Sequence, residues 1–70
     1  MSKQELIVNG RSWPHRGEGL TELLAGMDLP ADGRGVAVAV NGVIVPRERW
    51  REVKLNPGDE VDVVGAVHGG

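Results

Sequence analysis

The chain has no cysteine, no phenylalanine and no tyrosine, and only two tryptophans and two histidines among its 70 residues. Without cysteine there is no disulfide, and His15 and His68 alone are too few for a structural zinc site. A domain this small buries only about 60% of the surface exposed by its unfolded chain, so a large enclosed active site is not expected. With neither staple available, the fold must rest on packing of leucine, isoleucine, valine and alanine, helped by Trp13, Trp50, Met1 and Met27.

No strong charge of either sign is present. Eight basic residues face ten acidic ones, for a formal charge of −2 and a pI near 5.5. Nucleic-acid binders carry a basic stripe or a strongly basic total, so nucleic acid is not an expected partner. Arg47, Arg49 and Arg51 do cluster, but Glu48 and Glu52 interleave with them, which suits a solvated face or a protein surface. No apolar run approaches the roughly 18–20 residues that span a bilayer. The opening Met1–Glu5 leads into only a brief Leu6-Ile-Val8 run rather than a secretory core, so no membrane association and a cytoplasmic location are expected.

The chain also lacks the usual marks of catalysis. No Gly-x-x-x-x-Gly-Lys-Ser/Thr segment is there to cradle phosphates, and Gly17-x-Gly19 is too short a fragment to stand for one. Ser2, Ser12, His15 and His68 show no spacing that favours a nucleophile and base pair, which is recognised by geometry. No catalytic residue and no metal ligand is expected, and no cofactor bound by this chain.

What is present is a regular succession of short elements. Glu5–Val8, Asn9-Gly10 and Arg11–Trp13 read as a hairpin, because Asn-Gly supplies the positive φ angles of a type I′ turn. Pro14 lacks an N–H and is expected to end the ladder, with Gly17 and Gly19 marking a loop. Leu20, Leu23, Leu24 and Met27 fall at i, i+3, i+4 and i+7, the apolar face of one short helix, with Thr21 and Glu22 pointing away. Gly26, Pro30 and Asp32–Gly35 end it. Val36–Val40 alternates valine and alanine, as in a strand lying mid-sheet, covered on one face and tightly approached on the other. Asn41-Gly42 turns the chain into Val43–Val45, ended by Pro46, and Arg47–Trp50 suits one helical turn. Asn56–Asp59 makes a tight turn into a last strand, Glu60–Val64, with Val61 and Val63 on its buried side. Trp50 is expected to cover the core, whereas Trp13 fits a core or a docking role. The plan is α+β, a single domain with one helix packed on a mixed sheet.

The chain ends on Gly69-Gly70. Two glycines in succession thread a narrow channel without steric cost, and the α-carboxylate, ionised at neutral pH, is a poor electrophile that needs activation by an ATP-using partner. Residues 1–64 are expected to form the domain and 65–70 a flexible tail, reaching about 20 Å when extended at roughly 3.3 Å per residue. The exposed sheet face and the tail together are expected to meet partners.

The stretch Val40-Asn-Gly-Val-Ile-Val-Pro-Arg-Glu-Arg-Trp50, then Leu55-x-Pro-Gly-Asp59-Glu-Val and the terminal Val67-His-Gly-Gly70, resembles the β-grasp, ubiquitin-like sulfur carriers, most closely the ThiS family of thiamine thiazole biosynthesis. The resemblance implies a protein cosubstrate rather than an enzyme. A ThiF-like adenylyltransferase using ATP would adenylate Gly70, a sulfur donor such as a cysteine desulfurase would supply sulfur, and the resulting thiocarboxylate would serve a ThiG-like thiazole synthase. Val67, His68 and Gly69 would thread into the partner. A chain without cysteine cannot carry sulfur on a thiol of its own, which agrees with a terminal carrier atom. Two alternatives share the fold: a small subunit of molybdopterin synthase, whose approach to the tail is typically proline-rich, unlike Gly65-Ala-Val-His68 here, and a ubiquitin-like modifier of proteins.

Overall fold

A computed structural model describes residues 4–27, 29 and 33–65. β1 (Glu5–Val8) pairs antiparallel with β2 (Arg11–Pro14), setting Leu6 opposite Trp13 and Val8 opposite Arg11. The turn between them has φ of 52° at Asn9 and 82° at Gly10, as a type I′ turn requires. Pro14 departs from expectation. It does not end the ladder but pairs with Glu5, and the His15 N–H goes on to donate to the Gln4 carbonyl at 2.9 Å. β2 is an edge strand, and the alternation of the ladder turns the Pro14 nitrogen outward, where no donor is needed.

The helix α1 (Leu20–Ala25) is as short as expected. Its first turn is closed by the Gly19 N–H donating to Glu22 Oε1 at 3.0 Å, half of a capping box. Leu20, Leu23 and Leu24 are buried, but Met27 lies past the helix end, because the Gly26 N–H already bonds back to the Glu22 and Leu23 carbonyls. Met27 still packs against the core from that turn.

β3 (Val36–Val40) and β4 (Val43–Val45) form a second hairpin through Asn41 (φ 52°) and Gly42 (φ 84°). β3 is an interior strand with Val38 fully buried. Its alanine face is not closely covered, since Ala37 is exposed. Those small residues belong to the open side of the sheet.

A 3₁₀ turn, Arg47–Glu52, runs two residues beyond the expected single turn. It buries Trp50, whose Nε1–H donates to the Val45 carbonyl at 2.9 Å. The indole lies so close to Gly33 (φ 71°) that a Cβ there would stand 2.7 Å from its ring, so this position needs glycine for both space and backbone.

β5 (Glu60–Gly65) extends one residue past the expected Val64. The strand order is β2-β1-β5-β3-β4, with β5 parallel to β1 and antiparallel to β3. Strong inward alternation places Val61 and Val63 against α1 together with Leu6, Val8, Val38, Leu55 and Trp50. The core is aliphatic and lies between the helix and one sheet face, as the composition dictates. No helix among the described residues is long and apolar enough to cross a membrane.

Candidate functional site

The expected site residues Val67, His68, Gly69 and Gly70 lie outside the described residues. The strand that leads into them does not, and the fold holds it from both sides. On the β1 side, the Ile7 N–H donates to the Asp59 carbonyl and the Asn9 N–H to the Val61 carbonyl, each at 2.9 Å. β1 ends at Val8, and the Asn9 side chain takes over the next rung: its Oδ1 accepts the Val63 N–H at 2.7 Å.

On the β3 side Asn41 does similar work. Its N–H donates to the Glu60 carbonyl at 2.7 Å, its Oδ1 accepts the Glu60 N–H at 3.0 Å, and its Nδ2–H donates to Asp59 Oδ1 at 3.1 Å. Asp59 Oδ2 in turn accepts the Asn56 N–H at 2.9 Å, fixing the tight turn before β5. Both turn asparagines therefore clamp the last strand as well as reversing the chain. Replacing Asn9 by alanine leaves the Val63 N–H without its acceptor and puts at φ 52° a residue that tolerates the left-handed region less well than asparagine does. Asn9→Ala is expected to lower the unfolding free energy by about 2–4 kcal/mol, read by urea denaturation; an unchanged midpoint contradicts the clamp.

The sheet face opposite α1 is open. Register places Ile44, Ala39 and Asp62 in one row and Ala37 and Val64 in the next. Ile44 and Val64 are 68% and 65% exposed, an unusual outlay for large apolar side chains in a domain of this size. Glu60 and Asp62 on the same face give the patch an acidic border. The Arg47–Glu52 turn lies elsewhere, and its Arg49–Glu52 pair, 3.6 Å apart with both side chains about two-thirds exposed, adds little stability.

The candidates for a catalytic pair are not brought together. Ser12 Oγ donates to Glu5 Oε1 at 3.2 Å on the exposed hairpin. His15 is buried, its Nε2 bonded to the Glu18 carbonyl at 3.2 Å. The loop it occupies is also fastened by the Glu18 carboxylate, which accepts the Arg16 N–H at 2.6 Å. Hydrogen bonds from its own backbone N–H and then from that of Arg16 hold this carboxyl below its ordinary value. Ser2 and His68 lie outside the described residues, and among the described residues no group of acidic and histidine side chains has metal-binding geometry.

Sequence reading missed the two asparagine clamps, the close approach at Gly33 and the composition of the open face. The asparagines carried a weak signal: both Asn-Gly turns have an amide where glycine or aspartate would also make the turn.

A mixed five-stranded sheet crossed by one helix, with the last strand at its centre between β1 and β3, is a β-grasp, ubiquitin-like domain. The ThiS family model matches residues 5–70, and the chain belongs to that family. Among solved structures, the crystal structure of the thiamine biosynthesis protein ThiS from Geobacter metallireducens superposes with a TM-score of 0.74 at 30% identity, covering 94% of this chain and 99% of that one. The solution structure of a thiamine biosynthesis protein from the same organism gives 0.75 at 29% identity, covering 94% and 87%. A thiazole synthase from Paramagnetospirillum magneticum (strain ATCC 700264 / AMB-1) is 35% identical over 66 residues. That match takes in 94% of this chain and 20% of the synthase, so the chain spans about a fifth of that relative's length.

Proposed function

We propose that this chain is a sulfur carrier for thiazole formation in thiamine biosynthesis, acted on by other proteins and not itself an enzyme. The observation that carries the reading is the ThiS match over residues 5–70 on a β-grasp domain whose central strand leads into Gly69-Gly70. Residues 1–64 form the folded carrier and 65–70 its arm, with Gly65 shared as the last residue of β5.

In this reading a ThiF-like adenylyltransferase binds ATP and presents its α-phosphorus to the Gly70 carboxylate. Attack expels pyrophosphate and leaves an acyl-adenylate, whose carbonyl is now an electrophile with a good leaving group. A persulfide formed by a cysteine desulfurase or similar donor attacks that carbonyl, and AMP departs with the bonding electrons. A thiol then cleaves the resulting acyl disulfide, becoming oxidised to a disulfide as the thiocarboxylate is released. A ThiG-like thiazole synthase directs the sulfur onto a carbonyl carbon of its substrate, the acyl C–S bond breaks as an oxygen from that carbonyl or from water takes its place, and the Gly70 carboxylate returns. The open sheet face around Ile44 and Val64 supplies affinity for these partners while Val67, His68 and Gly69 thread toward their active sites. The thiazole synthase relative, carrying a segment like this chain within its own length, supports a meeting of carrier and synthase.

The test is reconstitution with an adenylyltransferase, ATP and a persulfide donor, followed by intact mass. The expected result is a mass increase equal to exchange of one oxygen for one sulfur, localised to Gly70 and requiring ATP. A chain that forms no adenylate and gains no mass with a competent enzyme is not a carrier, and conjugates joined to lysines of other proteins would make it a modifier.

A further inference from the structure

The geometry points to a partial sheet edge on β5, at Val63–Gly65, as the place where the enzyme that adenylates Gly70 adds an extended segment of its own chain; this rests on the carrier reading above. The alternation of the ladder fixes which groups face which side. The Asn41 N–H donates to the Glu60 carbonyl, so residues 60, 62 and 64 of β5 bond toward β3. Residues 61, 63 and 65 therefore direct their N–H and C=O groups toward β1. There the ladder runs out: β1 pairs with β5 only at Ile7–Glu60 and Val8–Val61, and the Asn9 side chain fills one further rung by accepting the Val63 N–H. Beyond that rung the hairpin turns away. Among the described residues nothing bonds to the Val63 carbonyl or the Gly65 N–H from that side, although β3 stays paired as far as Val36–Gly65.

The notch has two features that suit it to a processing enzyme. It offers one acceptor and one donor in strand geometry, the pattern by which an added strand gains affinity through main-chain hydrogen bonds. It also sits five residues before the carboxylate to be activated, since residues 66–70 follow Gly65 directly. Those five residues span at most about 17 Å when extended. A segment gripping the edge at Gly65 thus fixes the origin of the arm and limits where Gly70 can go. Recognition of main-chain groups also tolerates an arm with few side chains.

Gly65→Pro tests this, because proline removes the edge donor while leaving the β3 ladder intact at a pair that shares no hydrogen bonds. Gly65→Ala is the control, keeping the N–H. A chemically synthesised chain with an ester in place of the Val64–Gly65 amide removes the same donor without a ring and serves if the proline variant fails to fold. Adenylation is followed as ATP–pyrophosphate exchange with the adenylyltransferase that activates the wild-type chain, with the fold of each variant checked by thermal unfolding. The expected result is a fall in kcat/KM of roughly three- to tenfold, for the ester chain relative to wild type and for Gly65→Pro relative to Gly65→Ala. Wild-type turnover by the ester chain, or an equal loss in Gly65→Ala, overturns the inference while leaving the carrier reading in place. Failure of the wild-type chain to be adenylated overturns both.

Discussion

Deletion of Gly70 is expected to reduce thiocarboxylate formation at least about a hundredfold while leaving the unfolding free energy within about 0.5 kcal/mol of the full chain. The shortened chain still ends in a glycine carboxylate, that of Gly69, so the loss does not come from missing chemistry. It comes from reach. One extended residue is roughly 3.3 Å, and β5 is held by Asn41 at Glu60 and by Asn9 at Val63, so the strand cannot slip forward in the sheet to restore that length. A misplacement of even 1 Å in a reacting group can cost about a hundredfold in rate. The comparison is made by intact mass after reconstitution and by urea unfolding of both chains. Thiocarboxylate on Gly69 at the full-length rate removes the argument from reach, and unfolding of the shortened chain removes the separation between arm and domain.

Trp50→Ala is expected to cost about 3–5 kcal/mol. A chain of 70 residues has a total stability of about 4–10 kcal/mol, so a large share disappears with one side chain. Trp50 is the main aromatic contribution to a core with no phenylalanine or tyrosine, and it covers Gly33 while its indole N–H satisfies the Val45 carbonyl. Trp50→Phe is expected to recover most of the packing but not the hydrogen bond, leaving a deficit of about 1 kcal/mol. Chemical denaturation separates the two variants, and a Trp50→Ala protein as stable as wild type would place the indole outside the core's energetics.

The pattern of residues made much of this fold legible. Two Asn-Gly pairs located both hairpins, the Leu20-Leu23-Leu24 spacing located the helix, and alternation in Glu60–Val64 assigned Val61 and Val63 to the core. The departures share a physical cause: they depend on which strand lies beside which. Pro14 reads as a breaker until β2 is known to be an edge. Ala37 and Ala39 read as a tight contact until the far side of β3 proves to be the open face. The second role of Asn9 and Asn41 needs the position of β5, which is set by pairing between residues far apart in the chain. For the functional site, Gly69-Gly70 and its approach were visible as sequence, while the exposed face carrying Ile44 and Val64 needed the register of three strands.

The placement of β5 also bears on how the protein is made. Before that strand emerges from the ribosome, the residues already made supply only the segments of two separate hairpins and a short helix, and isolated hairpins are marginal in water. Ile7 must wait for Glu60 and Val38 for Val63 before the halves can join. Of the five strands the keystone is thus the last to be made, and the sheet closes only once β5 is there to join its halves.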